Sequence, residues 1–122
     1  MKTEYEKLFT ALDSLGVDTE GTINRFVGNE DIYVKFLKVY IEEERMPAIY
    51  AALEEKNTDE LIMKVHKLKG VSGNLGMTEL YELAEDVIAR LRNGSYDGVE
   101  ELLKQINSVY DRICDAIRNN KP

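Results

Sequence analysis

The chain has 122 residues, 43% hydrophobic and 32% charged, enough for one domain (1–122) with its own core and the balance of an ordinary water-soluble helical protein. Its formal net charge of −7 leaves no basic stripe to displace counterions, which excludes a nucleic-acid partner. A lone cysteine, Cys114, cannot form an intrachain disulfide, Met1-Lys2-Thr3-Glu4 does not open a secretory leader, and no apolar run spans a bilayer, so the expected address is the cytoplasm, off the membrane.

Apolar residues recur at helical spacing nearly throughout, and no stretch alternates over a strand's length. Tyr5, Leu8, Phe9, Leu12 and Leu15 predict a short first helix stopped at Gly16. A second runs from about Thr19 to Val27 and ends at Gly28-Asn29. The third begins near Glu30 and carries Tyr33, Phe36, Leu37, Tyr40 and Ile41. Pro47 lies in its path, where it removes a donor and clashes with the preceding turn. The rhythm continues through Ile49, Ala52 and Leu53, so a kink is expected rather than a break.

Asn57-Thr58-Asp59-Glu60 supplies N-cap candidates and acids for the positive end of the next helix, which runs to about Leu75. Gly76 stops it and Thr78 is the expected cap of its successor. Leu80, Leu83, Ala84, Val87, Ile88 and Leu91 mark that helix, which ends at Asn93-Gly94. A last helix starts near Ser95 to Asp97 and runs through Val99, Leu102, Leu103, Ile106, Val109, Tyr110, Ile113 and Ile117. Four long helices with short connections pack as antiparallel neighbours. The expected fold is an all-α, up-down-up-down four-helix bundle with the short N-terminal helices on one end or flank.

The only histidine, His66, is placed informatively on its helix. At about 100° per residue, Leu61, Val65, Leu68, Val71, Ser72 and Leu75 share one broad side, with Lys64 at its edge. His66 takes the opposite side, beside Lys69, Gly70 and Gly73. An exposed neutral imidazole is a good nucleophile toward phosphorus. Lys69, one turn on, is placed to pair with phosphoryl oxygens and to disfavour a protonated ring. Gly70 removes the side chain that would crowd the imidazole, at about 1 kcal/mol of helix propensity, and Gly73 repeats the cost. Gly73 could instead let a neighbouring helix pack closely, but it points away from the expected core, so close approach of a partner is the expected reason for both glycines.

Other chemistries fit poorly. A carboxylate di-iron bundle needs Glu-x-x-His on two helices, whereas residue 63 is methionine and no second histidine exists. A haem ligand would have to face the core, and His66 faces away. No glycine-rich phosphate loop is present. No metal or other cofactor is expected.

The run His66-Lys67-Leu68-Lys69-Gly70-Val71-Ser72-Gly73-Asn74-Leu75-Gly76 resembles the signature of histidine-containing phosphotransfer (HPt) domains, His-x-Leu-Lys-Gly-x-Ser/Ala-x-x-x-Gly. The similarity extends from Gly16-Val17-Asp18 through Ile23-Asn24-Arg25-Phe26 and Gly28-Asn29-Glu30, and on through Leu80 to Gly94. It covers about residues 16–118. The resemblance implies a cytoplasmic bundle in a two-component multistep phosphorelay. Such a module accepts a phosphoryl group from a receiver-domain aspartyl phosphate and passes it to another receiver. Carried over by position, His66 is the phosphoacceptor, Lys69 the charge-stabilising neighbour and Gly70 the opening. Ser72, Gly73 and Gly76 match structural positions, with Ser72 bonding inside the bundle and Gly76 ending the helix.

Lys67 stands where sensor-kinase dimerisation helices carry an acid directly after the histidine, so no intrinsic kinase activity is expected. The implied partners are response-regulator receivers, which would bring the Mg²⁺, and a hybrid histidine kinase. A docking surface around the histidine should be apolar. Ile62 and Met63 flank His66, Ile23 and Phe26 extend the patch as the resemblance suggests, and Arg90 is a candidate from the facing helix. A receiver-docking module without phosphotransfer is the alternative. One exposed histidine face requires no symmetric partner, so a monomer is expected, and the chain's ends read as those of a complete small protein.

Overall fold

The computed structural model describes residues 4–120; residues 1–3, on which the leader reading partly rests, and 121–122 lie outside the described residues. Seven α-helices and no strand occur among the described residues: α1 (Glu6–Ser14), α2 (Thr19–Arg25), α3 (Glu30–Tyr40), α4 (Met46–Glu54), α5 (Thr58–Asn74), α6 (Thr78–Arg92) and α7 (Val99–Asn119). Side-chain caps start three of them, each satisfying a donor the helix leaves orphaned. Asp18 accepts from Gly21 N at 3.0 Å, Asn29 from Ile32 N at 3.1 Å and Asn57 from Glu60 N at 3.2 Å.

The all-α bundle is as expected; several boundaries are not. The third segment breaks instead of kinking. Arg45 ends the gap by donating to Tyr40 O at 2.7 Å and lying over the Tyr40 ring at 4.5 Å, while Tyr110 donates to Glu43 O at 3.0 Å. Carbonyls freed at the break therefore find partners, and Pro47 falls in the first turn of α4, where its missing N–H is harmless. Met77, not Thr78, holds the cap position of α6, with no side-chain cap bond. The last helix starts later than expected. Asp97 N donates to Ser95 Oγ at 3.0 Å and Gly98 turns the chain at φ 75°, delaying α7 to Val99. At the other end, α2 stops at Arg25 because Val27 (φ 59°) and Gly28 (φ 76°) both take left-handed conformations.

Helix α5 is the central arm: it packs broadly on α6, which packs on α7, and α4 lies against α5 while α1 rests on α7. Leu61, Val65 and Leu68 of α5 are fully buried in one core with Leu80, Ala84 and Val87 of α6 and Leu103, Ile106 and Ile113 of α7. Burying side chains of this kind contributes roughly 1.5–3 kcal/mol each. Cys114 is also buried, which pushes its thiol above the usual range and makes it a small apolar core residue.

Two tyrosines of α3 carry hydroxyls into this core. Tyr40 shares a 2.9 Å hydrogen bond with Ser72, and Tyr33 donates to Leu75 O at 3.1 Å; burial raises the pKa of both phenols. Carbonyls at the end of α5 and in the turn after it find partners on several elements. Ser72 O accepts from Met77 N at 2.9 Å, Asn74 O from Arg25 at 3.1 Å, Leu75 O from Tyr33, and Gly76 O from Asp18 N at 2.8 Å. Gly76 sits at φ 81°, and a Cβ there would lie 2.6 Å from Asp18 O and closer still to Thr22 Oγ1.

Gly76→Ala should therefore cost about 2–4 kcal/mol, combining left-handed strain with a backbone clash, and equilibrium urea unfolding will show it as a lower midpoint. Ser72→Ala should cost about 1–3 kcal/mol by stranding the Tyr40 hydroxyl. Adding Tyr40→Phe should return much of that loss, and a double-mutant cycle measures the coupling.

Candidate functional site: the histidine face of α5

Helical spacing alone gathers the predicted centre. His66 is exposed in mid-helix, opposite the buried Leu61, Val65 and Leu68, with half-buried Lys69 and exposed Gly70 one turn further on. A Cβ built on Gly70 would meet nothing within 4 Å. No packing demand explains this glycine; it leaves open space beside the imidazole. Among the described residues neither Lys67 nor Lys69 forms an ion pair, whereas Lys64 is bound to Glu60 at 3.3 Å. Two cations outside any ion pair thus flank the imidazole on a chain that is otherwise acidic, an arrangement suited to an incoming dianion.

Gly73 has a different role from the one expected. A Cβ there would fall 2.8 Å from Cδ2 and 3.2 Å from Cε2 of Tyr81. It is the notch in which a side chain of α6 rests, not a clearing for a partner. The wheel placed Gly73 away from the core correctly, but could not show that an aromatic residue of the neighbouring helix reaches round to cover it. Above that ring sits Lys69, its Nζ 5.4 Å from the centroid. Ser72 and Gly76 lie inside, as interior partners of Tyr40 and of the α2 start.

The proposed docking residues divide. Met63 is 51% exposed, while Ile23, Phe26 and Ile62 are half-buried and packed against the core. Arg90 does not join the site. Its guanidinium donates to Asp86 at 2.9 Å and to Asp97 O at 3.0 Å, which ties the α6–α7 turn together.

A larger apolar surface was missed. On α3, Ile32, Phe36 and Val39 are 41%, 46% and 52% exposed, although the same helix buries Tyr33, Val34, Leu37 and Tyr40. Phe36 stacks on Phe26 of α2 with centroids 5.6 Å apart. Phe26, Phe36 and Val39, together with Val71, Asn74 and Arg25, border a groove of about 380 Å³ along the flank of α5, beginning about one turn beyond His66. The signal was present in the sequence: Ile32, Phe36 and Val39 form a second i, i+4, i+7 stripe, more apolar circumference than one buried face needs. Arg25 was also overlooked, because a residue that caps a different helix leaves no local pattern.

No curated protein and no solved structure matches the chain. The family model of the Hpt domain matches residues 36–117, more than half of the chain, and the span runs from within α3 to near the end of α7 with His66, Lys69 and Gly70 inside it. The chain therefore belongs to the Hpt domain family, the histidine phosphotransfer modules of phosphorelays.

Proposed function

We propose that His66 accepts a phosphoryl group from the aspartyl phosphate of a response-regulator receiver and passes it to a second receiver. The observation that carries the reading is the open space at Gly70 beside an exposed imidazole whose neighbouring cation, Lys69, is in no ion pair. In the forward step a ring nitrogen of His66 forms the N–P bond while the P–O bond to the aspartate breaks, and the carboxylate leaves with the bonding pair. Such transfer is chiefly positioning and charge stabilisation. This chain supplies the nucleophile, Lys69 and a docking surface; the receiver supplies the acyl phosphate and its Mg²⁺. Kinase chemistry is not part of the role.

Receiver docking is assigned to the groove between α3 and α5 with the apolar rim formed by Phe26, Phe36 and Val39, and to Met63 on the other side of His66. A rim of exposed aromatic and aliphatic side chains around a charged centre has the make-up of a transient protein interface. The module acts as a monomer in the cytoplasm, and among the described residues no helix is long and apolar enough to cross a membrane.

Label should pass from a phosphorylated, Mg²⁺-loaded receiver to the wild type and not to His66→Gln, and it should be lost in acid and kept in alkali. Binding without any transfer would leave a docking module instead. Gly70→Gln should transfer at least about tenfold more slowly while unfolding at equal or higher denaturant, since the larger side chain restores up to about 1 kcal/mol of helix propensity and its Cβ enters open space. Phe36→Glu should weaken receiver binding about tenfold in calorimetry without changing the far-ultraviolet spectrum.

A further inference from the structure

Tyr81 lies outside the signature, on α6, and is 37% exposed. It nevertheless touches the signature twice. Its ring fills the notch at Gly73, and its face receives the Lys69 ammonium at 5.4 Å. Gly73 lies seven residues beyond His66, about 10 Å along the helix axis, and Lys69 only three. A lysine drawn toward the ring is therefore drawn along α5 away from the imidazole. Lys69, Gly70, Gly73 and Tyr81 also border a shallow open groove, so the ammonium can swing there without displacing any packed side chain. At this distance a cation–π contact is weak and solvent-accessible. A phosphoryl dianion one turn away offers a charge-assisted hydrogen bond, which is stronger.

We infer that Tyr81 is a positioning residue for Lys69: it parks the ammonium over its ring in the unphosphorylated protein and releases it when a phosphoryl group arrives on His66. The inference rests on the phosphotransfer reading above and extends it to a partner on another helix. Gly73 belongs to the same device, because any side chain there would lift the ring out of its seat. The parked state keeps the cation ordered and out of competing ion pairs on an acidic surface. It also makes the unphosphorylated form slightly more favourable than a free lysine would.

The test uses the whole chain and a small phosphoryl donor, phosphoramidate, so that receiver docking plays no part. In that reaction the His66 nitrogen forms the N–P bond while ammonia leaves with the pair of the bond that breaks. Ring-current displacement of the Lys69 side-chain protons in NMR spectra reports the contact directly. It should be present in the wild type and in Tyr81→Phe, absent in Tyr81→Leu, and lost from the wild type on phosphorylation. Tyr81→Leu should be phosphorylated about two- to fourfold faster than wild type, a gain that should vanish when Lys69→Met is present in both. No displacement in the wild type, or the same gain without Lys69, overturns the parking role. Displacement that persists in phosphorylated wild type overturns the release. A wild type that takes no phosphoryl group from either phosphoramidate or a receiver overturns the phosphotransfer reading and the release with it, while the comparison of Tyr81→Phe with Tyr81→Leu still decides the contact.

Discussion

Everything about the site depends on how α5 ends. A helix leaves its last carbonyls without intrahelical partners, and here that end is pressed against other elements rather than left in water. Besides the turn's own N–H groups, partners for this end and the turn after it come from separate places: Arg25 and Asp18 from α2 and the chain before it, and the Tyr33 hydroxyl from α3. Arg25 also supplies the cation that favours a helix C-terminus and that α5 lacks in its own last turn. The left-handed Gly76 makes this convergence possible. With the end so held, α5 cannot rotate about its axis, and His66 must face outward.

The opposite faces of α5 follow contrary rules. Its inner face obeys packing, with Leu61, Val65 and Leu68 buried and Ser72 bonded to Tyr40. Its outer face breaks helix propensity twice with glycine, and the two cases differ. Gly73 is answered by a side chain of α6, so its missing methyl is a matter of fit. Gly70 is answered by nothing within the chain. A helix position that gives up stability without an internal reason is the kind of local inconsistency expected where a second molecule approaches.

How much of this was legible in the sequence varied with the range of the interaction. Periodicity revealed every helical segment, with α3 and α4 read as one, and the outward direction of His66, because one turn of helix is a local affair. The break before Pro47 was not legible, since what favours it is Arg45 folding back onto Tyr40 and Tyr110 reaching Glu43 from a distant helix. Tyr81 over Gly73 and Arg25 on the end of α5 were hidden for the same reason: each joins residues on different helices. Arg90 illustrates the converse error. Its place on the facing helix was legible, but not the claim that Asp86 and the Asp97 carbonyl already have on its guanidinium. Ile32, Phe36 and Val39 were visible as letters, and only burial separated them from the core stripe beside them.

The matched family span begins at residue 36, inside α3. The residues before it supply Asp18, Thr22 and Arg25 to the end of α5, Phe26 to the groove rim and Ile32 to the exposed stripe. His66 and Lys69 lie inside the matched span, and part of the groove rim lies before it. A change at Phe26 or Ile32 would alter the groove rim or the stripe beside it without touching His66 or Lys69, whereas a change at Asp18 or Arg25 would reach the end of the helix that carries them both.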